Sequence, residues 1–188
     1  VGVKLVAIVC IALLSAINYL GVKLGGWVQN IFTFLKVAAL AGLIILTFMA
    51  GHAAPTAFKP LLPDHFSFNL LSAFGVAMVA ALWAYDGWNN TTYVAAEVRE
   101  PQKNIPRALF MGTSLVVIIY LAANFAYAYV LPLSNIAQSQ LVAADAIKTF
   151  LGPIGGGLIS AAVMISTFGT VNGMILSGAR ITSAMSQD

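Results

Sequence analysis

Residues 80–92 read Ala80-Ala81-Leu82-Trp83-Ala84-Tyr85-Asp86-Gly87-Trp88-Asn89-Asn90-Thr91-Thr92, and this stretch decides the fold class. It lies inside an apolar run from Leu70 to Ala96, long enough to cross a bilayer. A helix that merely crosses a membrane has no use for Asp-Gly and Asn-Asn near its middle. At ~1.5 Å per residue, Asp86 lies about 24 Å from Leu70 and about 20 Å from Arg99, well inside the hydrocarbon region. Gly87 loosens the backbone there, and Asp and Asn side chains compete for helical backbone groups. A membrane tolerates such a break only where the freed amides and carbonyls face protein or a watery cavity. Broken helices of this kind form midplane substrate sites in transporters, with half-helix ends aimed at the ligand's charges. The alternative is a kinked helix whose Asp86 pairs with a neighbour for structural reasons alone. The coincidence of a buried charge with a break favours the binding site.

The composition around this stretch agrees with a membrane protein. Of 188 residues, 60% are hydrophobic and 8% charged, and the mean hydropathy is +0.92. A soluble domain carries about 25% charged residues, so no water-facing surface can be built from this chain. Disorder is excluded as well, because it requires low hydrophobicity and high net charge. The net charge of +3 and pI near 9.1 do not indicate nucleic acid, since the nine Lys and Arg residues are scattered between apolar runs. Cys10 is the single cysteine, which precludes an internal disulfide. The start at Val1 and the end at Asp188 read as those of an internal piece of a longer protein.

Five apolar runs are expected to span, over residues 5–20, 27–50, 70–96, 109–131 and 154–179. Their lengths favour helices over barrel strands, so the fold class is all-α integral membrane with a broken third helix in a single transmembrane domain. Gly21 to Gly26 reads as a tight turn, and Glu97 to Arg107 as the most charged loop. The segment from Gly51 to Asn69 holds Pro55, Pro60, Pro63, His52 and His65. Between Ser134 and Phe150, Leu141, Ala144, Ile147 and Lys148 recur at helical spacing, which predicts a short helix lying at the surface. If the loop 97–107 is cytoplasmic, that side holds Lys23, Arg99, Lys103, Arg107 and Arg180, against Lys4, Lys59 and Lys148 opposite. The positive-inside rule therefore assigns 97–107 to the cytoplasm.

Two further features carry chemistry. Lys36 lies about 13 Å into the second span, where an ammonium is costly unless it snorkels or finds acceptors. By position alone it either snorkels, or serves as a fixed cation holding helices together, or titrates a proton. The fifth span carries Ser166-Thr167-Phe168-Gly169-Thr170-Val171-Asn172-Gly173, whose small and hydroxyl residues suit close helix packing. Ser166, Thr167, Thr170 and Asn172 are otherwise candidates to meet Lys36 or a ligand. Gly155-Gly156-Gly157 is no phosphate loop, because no Lys-Ser/Thr follows it. An enzyme is not expected. Asp86 and Glu97 would stand ~16 Å apart on an unbroken helix, too far for paired-carboxylate hydrolysis, which needs about 5–9.5 Å. His52 and His65 have neither an HExxH motif nor a cysteine cluster nearby, so no metal is expected, and no cofactor is implied.

The motif Ala84-Tyr85-Asp86-Gly87-Trp88-Asn89-Asn90, with Glu97, Pro101 and Asn104-Ile105-Pro106-Arg107-Ala108 after it, resembles the amino acid permeases of the APC (amino acid–polyamine–organocation) superfamily. The similarity is to the L-type amino acid transporter group and its bacterial relatives. Trp27-Val28-Gln29-Asn30 before Lys36, and Phe168-Gly169-Thr170-Val171-Asn172-Gly173 before Arg180, extend it over nearly the whole chain. The resemblance implies the fourth to eighth helices of a twelve-helix inverted-repeat transporter, so the partners are an amino acid substrate, the lipid bilayer and the remaining permease helices. It implies that Trp83, Ala84 and Asp86 offer backbone carbonyls to the substrate's α-amino group across the Gly87 break. Trp83 would also gate the ligand, and Asn89 would face it. Lys36 would occupy the place of a sodium ion and join the helices around it, with Ser166, Thr167 or Thr170 as its partner in the fifth span. Asp86, where some animal members carry Gly, suggests a bacterial-type member and an inner-membrane location. The family's Gly-rich break in the first helix, which grips the substrate carboxylate, has no counterpart among these residues, so this piece is not expected to transport alone. The function implied is sodium-independent secondary transport of amino acids by alternating access, through exchange or proton coupling. The competing class is a non-transporting sensor or assembly subunit built on a transporter scaffold.

Overall fold

The computed structural model describes residues 2–58 and 67–186, which form helices and connections without a strand. Lys59, Pro60, Pro63 and His65 lie outside the described residues. In chain order the helices are α1 (Gly2–Tyr19), α2 (Val22–Ala50), α3 (Phe68–Ala84), α4 (Asn90–Tyr93), a 3-10 turn (Ala95–Glu97), α5 (Pro101–Val130), α6 (Leu133–Gln138), α7 (Val142–Leu151) and α8 (Pro153–Met185). Among the described residues, four helices are long and apolar enough to cross a membrane: Gly2–Tyr19, Lys23–Ala50, Pro101–Val130 and Pro153–Thr182. The expected third span ends early, as a 17-residue α3. Gly87, with φ 94, turns the chain out of the helix, and α4 resumes at Asn90.

Three boundaries differ from the sequence expectation for identifiable reasons. The turn before α2 closes at Gly21, with φ 144, so Gly25 and Gly26 are helical. Gly25 is there for close approach: a Cβ on it would stand 3.1 Å from Asn18 Cγ and 3.2 Å from Leu176 Cδ2. The charged stretch is loop only as far as Glu100. Pro101 sits in the first turn of α5, where its missing N–H costs nothing, so residues 101–107 are helical. Glu100 takes a left-handed conformation at φ 48, and Asn104 Nδ2 donates to the Arg99 carbonyl at 2.6 Å, fastening that corner. Finally, the short surface helix is two helices, α6 and α7. Ala144, Ala146 and Ile147 of α7 are buried, while Leu141 stays exposed as its N-cap.

The core of the assembly is the α2–α8 pair. Helices α1 and α7 flank α8, and α5 lies on α2 and α7. A stripe of small residues on α8, Gly169, Gly173 and Ser177 at four-residue spacing, makes the close approach possible. A Cβ on Gly169 would lie 2.8 Å from Phe32 Cβ and 2.9 Å from Lys36 Cε, and one on Gly173 would lie 3.3 Å from Gln29 Nε2. Beside the stripe, the Phe32 and Phe168 rings stack at 6.1 Å. A second, apolar cluster of Val130, Leu131 and Ala146 ties α5 to α7. Outward faces are lined by residues such as Phe34, Val79 and Phe110, the surface that hydrocarbon accepts.

Candidate substrate site

Helices α2 and α8 bring Lys36 to Thr170. The ammonium Nζ donates to Thr170 Oγ1 at 3.0 Å, and Thr170 Oγ1 in turn donates to the Ser166 carbonyl at 3.0 Å. The hydroxyl proton is thus committed within α8, which leaves a lone pair facing the ammonium. Gly169 is the residue that lets the lysine stem cross α8, since any side chain there would occupy the path of Cε. An ammonium has three N–H donors and Thr170 takes one, so Lys36 retains donors for another acceptor.

A cavity of about 690 Å³ joins this pair to the helix break. Lys36, Thr170, Asp86, Gly87 and Asn89 all line it, together with Gln29, Asn90, Tyr93 and the small residues of α8. Its size lies within the ~300–1,000 Å³ typical of small-molecule sites. Asn89 Nδ2 donates to the Tyr93 hydroxyl at 3.2 Å, which holds the resumed helix turn. Among the described residues no ion pair involves Asp86. A smaller cavity of about 170 Å³ lies between α2, α7 and α8, and Lys36 and Ser166 line it. Lys36 therefore stands between two cavities.

The remaining expected residues sit elsewhere. Trp83, 80% exposed on the last turn of α3, lines neither cavity. The Ala84 carbonyl accepts from the Tyr120 hydroxyl at 3.2 Å. Thr167 bonds back to the Val163 carbonyl at 2.9 Å and lines neither cavity. Asn172, 0% exposed, does not meet Lys36 either; it ties three helices together. Its Nδ2 donates to the Gly25 carbonyl at 3.2 Å and to Gln29 Oε1 at 2.9 Å, and its Oδ1 accepts from Asn18 Nδ2 at 2.8 Å. Sequence reasoning passed over Gln29 and Tyr120 as site residues. Gln29 was accessible to it, because Gln29 and Lys36 are seven positions apart and so share a helix face. Tyr120 was not, because its contact with Ala84 bridges 36 positions.

Membrane-length helices, a broken helix and a polar cavity at the break define an integral membrane protein of the permease kind. Comparison with known proteins gives the family: the amino acid permease family profile matches residues 2–188, and the chain belongs to that family. It is 34% identical over 186 residues to the serine/threonine exchanger SteT of Bacillus subtilis (strain 168), covering 98% of this chain and 41% of that protein. It is 34% identical over 183 residues to the mouse b(0,+)-type amino acid transporter 1, covering 96% of this chain and 37% of the relative. The mouse large neutral amino acids transporter small subunit 2 is 33% identical over 184 residues, 96% of this chain and 34% of the relative. The chain thus spans about two-fifths or less of the length of these relatives. The family is one of transport proteins rather than enzymes, and the all-helical fold is that of a partial permease domain.

Proposed function

We propose that this chain is the central part of a sodium-independent secondary amino acid transporter that works by alternating access. The observation that carries the reading is the single cavity in which the Asp86–Gly87 break meets the Lys36–Thr170 pair. The end of α3 presents backbone carbonyls at the negative end of a helix dipole, the natural receptor for a substrate's ammonium group. Lys36 supplies a fixed positive charge between α2 and α8, which makes a bound sodium ion redundant there. Ala84, Asp86, Gly87 and Asn89 form the substrate-binding side, with Trp83 at its edge, while Lys36 and Thr170 form the coupling side flanked by Ser166 and Thr167. The named activities of the relatives, all amino acid exchangers or transporters, support amino acids as the substrate. The bacterial relative supports a bacterial inner membrane, with Glu97–Arg107 on the cytoplasmic face by its positive charge.

The test is uptake of a labelled amino acid mixture into proteoliposomes holding the full-length protein, with sodium replaced by an organic cation. Uptake that requires preloaded amino acid identifies an exchanger. Uptake into empty vesicles driven by an imposed proton gradient identifies a symporter. Uptake that collapses without sodium would contradict the role given to Lys36, and no uptake by folded protein would favour a sensor instead.

A further inference from the structure

Where α3 stops, its backbone carbonyls have to be satisfied without a continuing helix. The Tyr85 N–H reaches the Ala81 and Leu82 carbonyls at 3.3 and 3.2 Å, and the Asp86 N–H reaches Trp83 at 3.2 Å. Gly87 then turns the chain away at φ 94, and the Ala84 carbonyl is passed over by the backbone of the turn. Its partner among the described residues comes from a different helix, the hydroxyl of Tyr120 on α5, at 3.2 Å. The Tyr120 ring also packs on Tyr85, with centroids 5.1 Å apart and planes tilted by 56°. Both rings and the break line a cavity of about 350 Å³, and its Asp86 and Gly87 also line the larger cavity with Lys36.

We infer that Tyr120 is a positioning residue for the substrate's cationic group: its hydroxyl holds the Ala84 carbonyl in the direction from which that carbonyl accepts an ammonium N–H. A carbonyl oxygen has two lone pairs, so the Tyr120 bond leaves one for the ligand. Without the hydroxyl, the Ala84 carbonyl loses its hydrogen-bond partner, and the ligand has to orient it on binding. The inference rests on the proposed transport function and adds to it a residue on α5 that does not itself touch the ligand.

The test measures KM and turnover per reconstituted full-length protein for wild type, Tyr120→Phe and Tyr85→Leu. Tyr120→Phe keeps the ring and loses the hydroxyl. It is expected to raise KM about tenfold, the equivalent of one hydrogen bond, with turnover within about twofold of wild type. Tyr85→Leu removes the ring contact and keeps the hydroxyl bond, so its KM is expected within about twofold of wild type. A merely structural Tyr120 would lower the amount of active protein and leave KM unchanged, and that result would overturn the inference. So would a KM that falls in Tyr120→Phe. If Tyr120→Phe does not fold, Tyr85→Leu decides alone: a tenfold rise in its KM would assign the effect to ring packing. No uptake by folded wild-type protein brings down the transport reading and this inference together, whereas robust uptake with KM unchanged in Tyr120→Phe overturns only the inference.

Discussion

The Lys36 ammonium and the Thr170 hydroxyl, 134 positions apart in sequence, lie 3.0 Å from each other across the α2–α8 contact. If this pair supplies the fixed charge of the transport site, Lys36→Ala in the full-length protein should cut exchange at least about tenfold, the equivalent of losing one charged hydrogen bond. Thr170→Ser should stay near wild type and Thr170→Val should fall between. Initial uptake rates in proteoliposomes check this. Unchanged kinetics in Lys36→Ala would remove Lys36 from the mechanism.

Gly169 is predicted to be far less replaceable than Gly157, which lies on the same helix. A Cβ there would meet Phe32 Cβ at 2.8 Å, whereas one on Gly157 would meet nothing within 4 Å. Gly169→Ala should destabilise by about 1–3 kcal/mol, as overpacked sites do. Gly157→Ala should be neutral or mildly stabilising through helix propensity. Thermal unfolding in detergent compares them, and equal melting temperatures would contradict the close approach of α2 to α8.

The amide of Asn172 should be worth more than that of Asn18. Removing it in Asn172→Ala strands the Gln29 Oε1 acceptor, at a cost of about 1–3 kcal/mol. Asn18 keeps a bond to the Leu14 carbonyl and lies at the edge of the network, so Asn18→Ala should cost less than about 1 kcal/mol. A double-mutant cycle should find the two coupled, and strict additivity would show that the 2.8 Å contact contributes nothing.

Acidification should loosen α7 before the spanning helices. The Asp145 carboxyl is held below its ordinary range, first by the Ser139 hydroxyl, which donates to Oδ2 at 2.6 Å, and then by Lys148 at 3.3 Å. Because the folded-state pKa is depressed, the contribution is present above the unfolded value. It is lost as pH falls through the folded one. Ser139→Ala should move that midpoint to higher pH. Hydrogen exchange of the α7 amides against pH measures it, and a midpoint that stays put would remove Ser139 as the cause.

The membrane class, the helical fold, the break at Asp86-Gly87 and the depth of Lys36 in the second span were all legible in the sequence. Each depends on local quantities: the length of an apolar run, a residue's depth along a helix, and the conformational freedom of one glycine. The partner of Lys36 was legible only as a choice among Ser166, Thr167 and Thr170, because all three lie within about one helical turn. The rotation of α8 against α2 separates them. It turns Thr170 toward Lys36, sends the Thr167 hydroxyl back to its own helix, and leaves Ser166 on the smaller cavity. The same rotation places Asn172 between α1 and α2 rather than at the site. Tyr120 had no sequence signal at all, since its hydroxyl meets Ala84 only because α5 returns beside the broken end of α3. Local propensity and hydropathy act over a few residues and set the elements, whereas hydrogen bonds between helices depend on how those elements rotate and approach, which only packing decides.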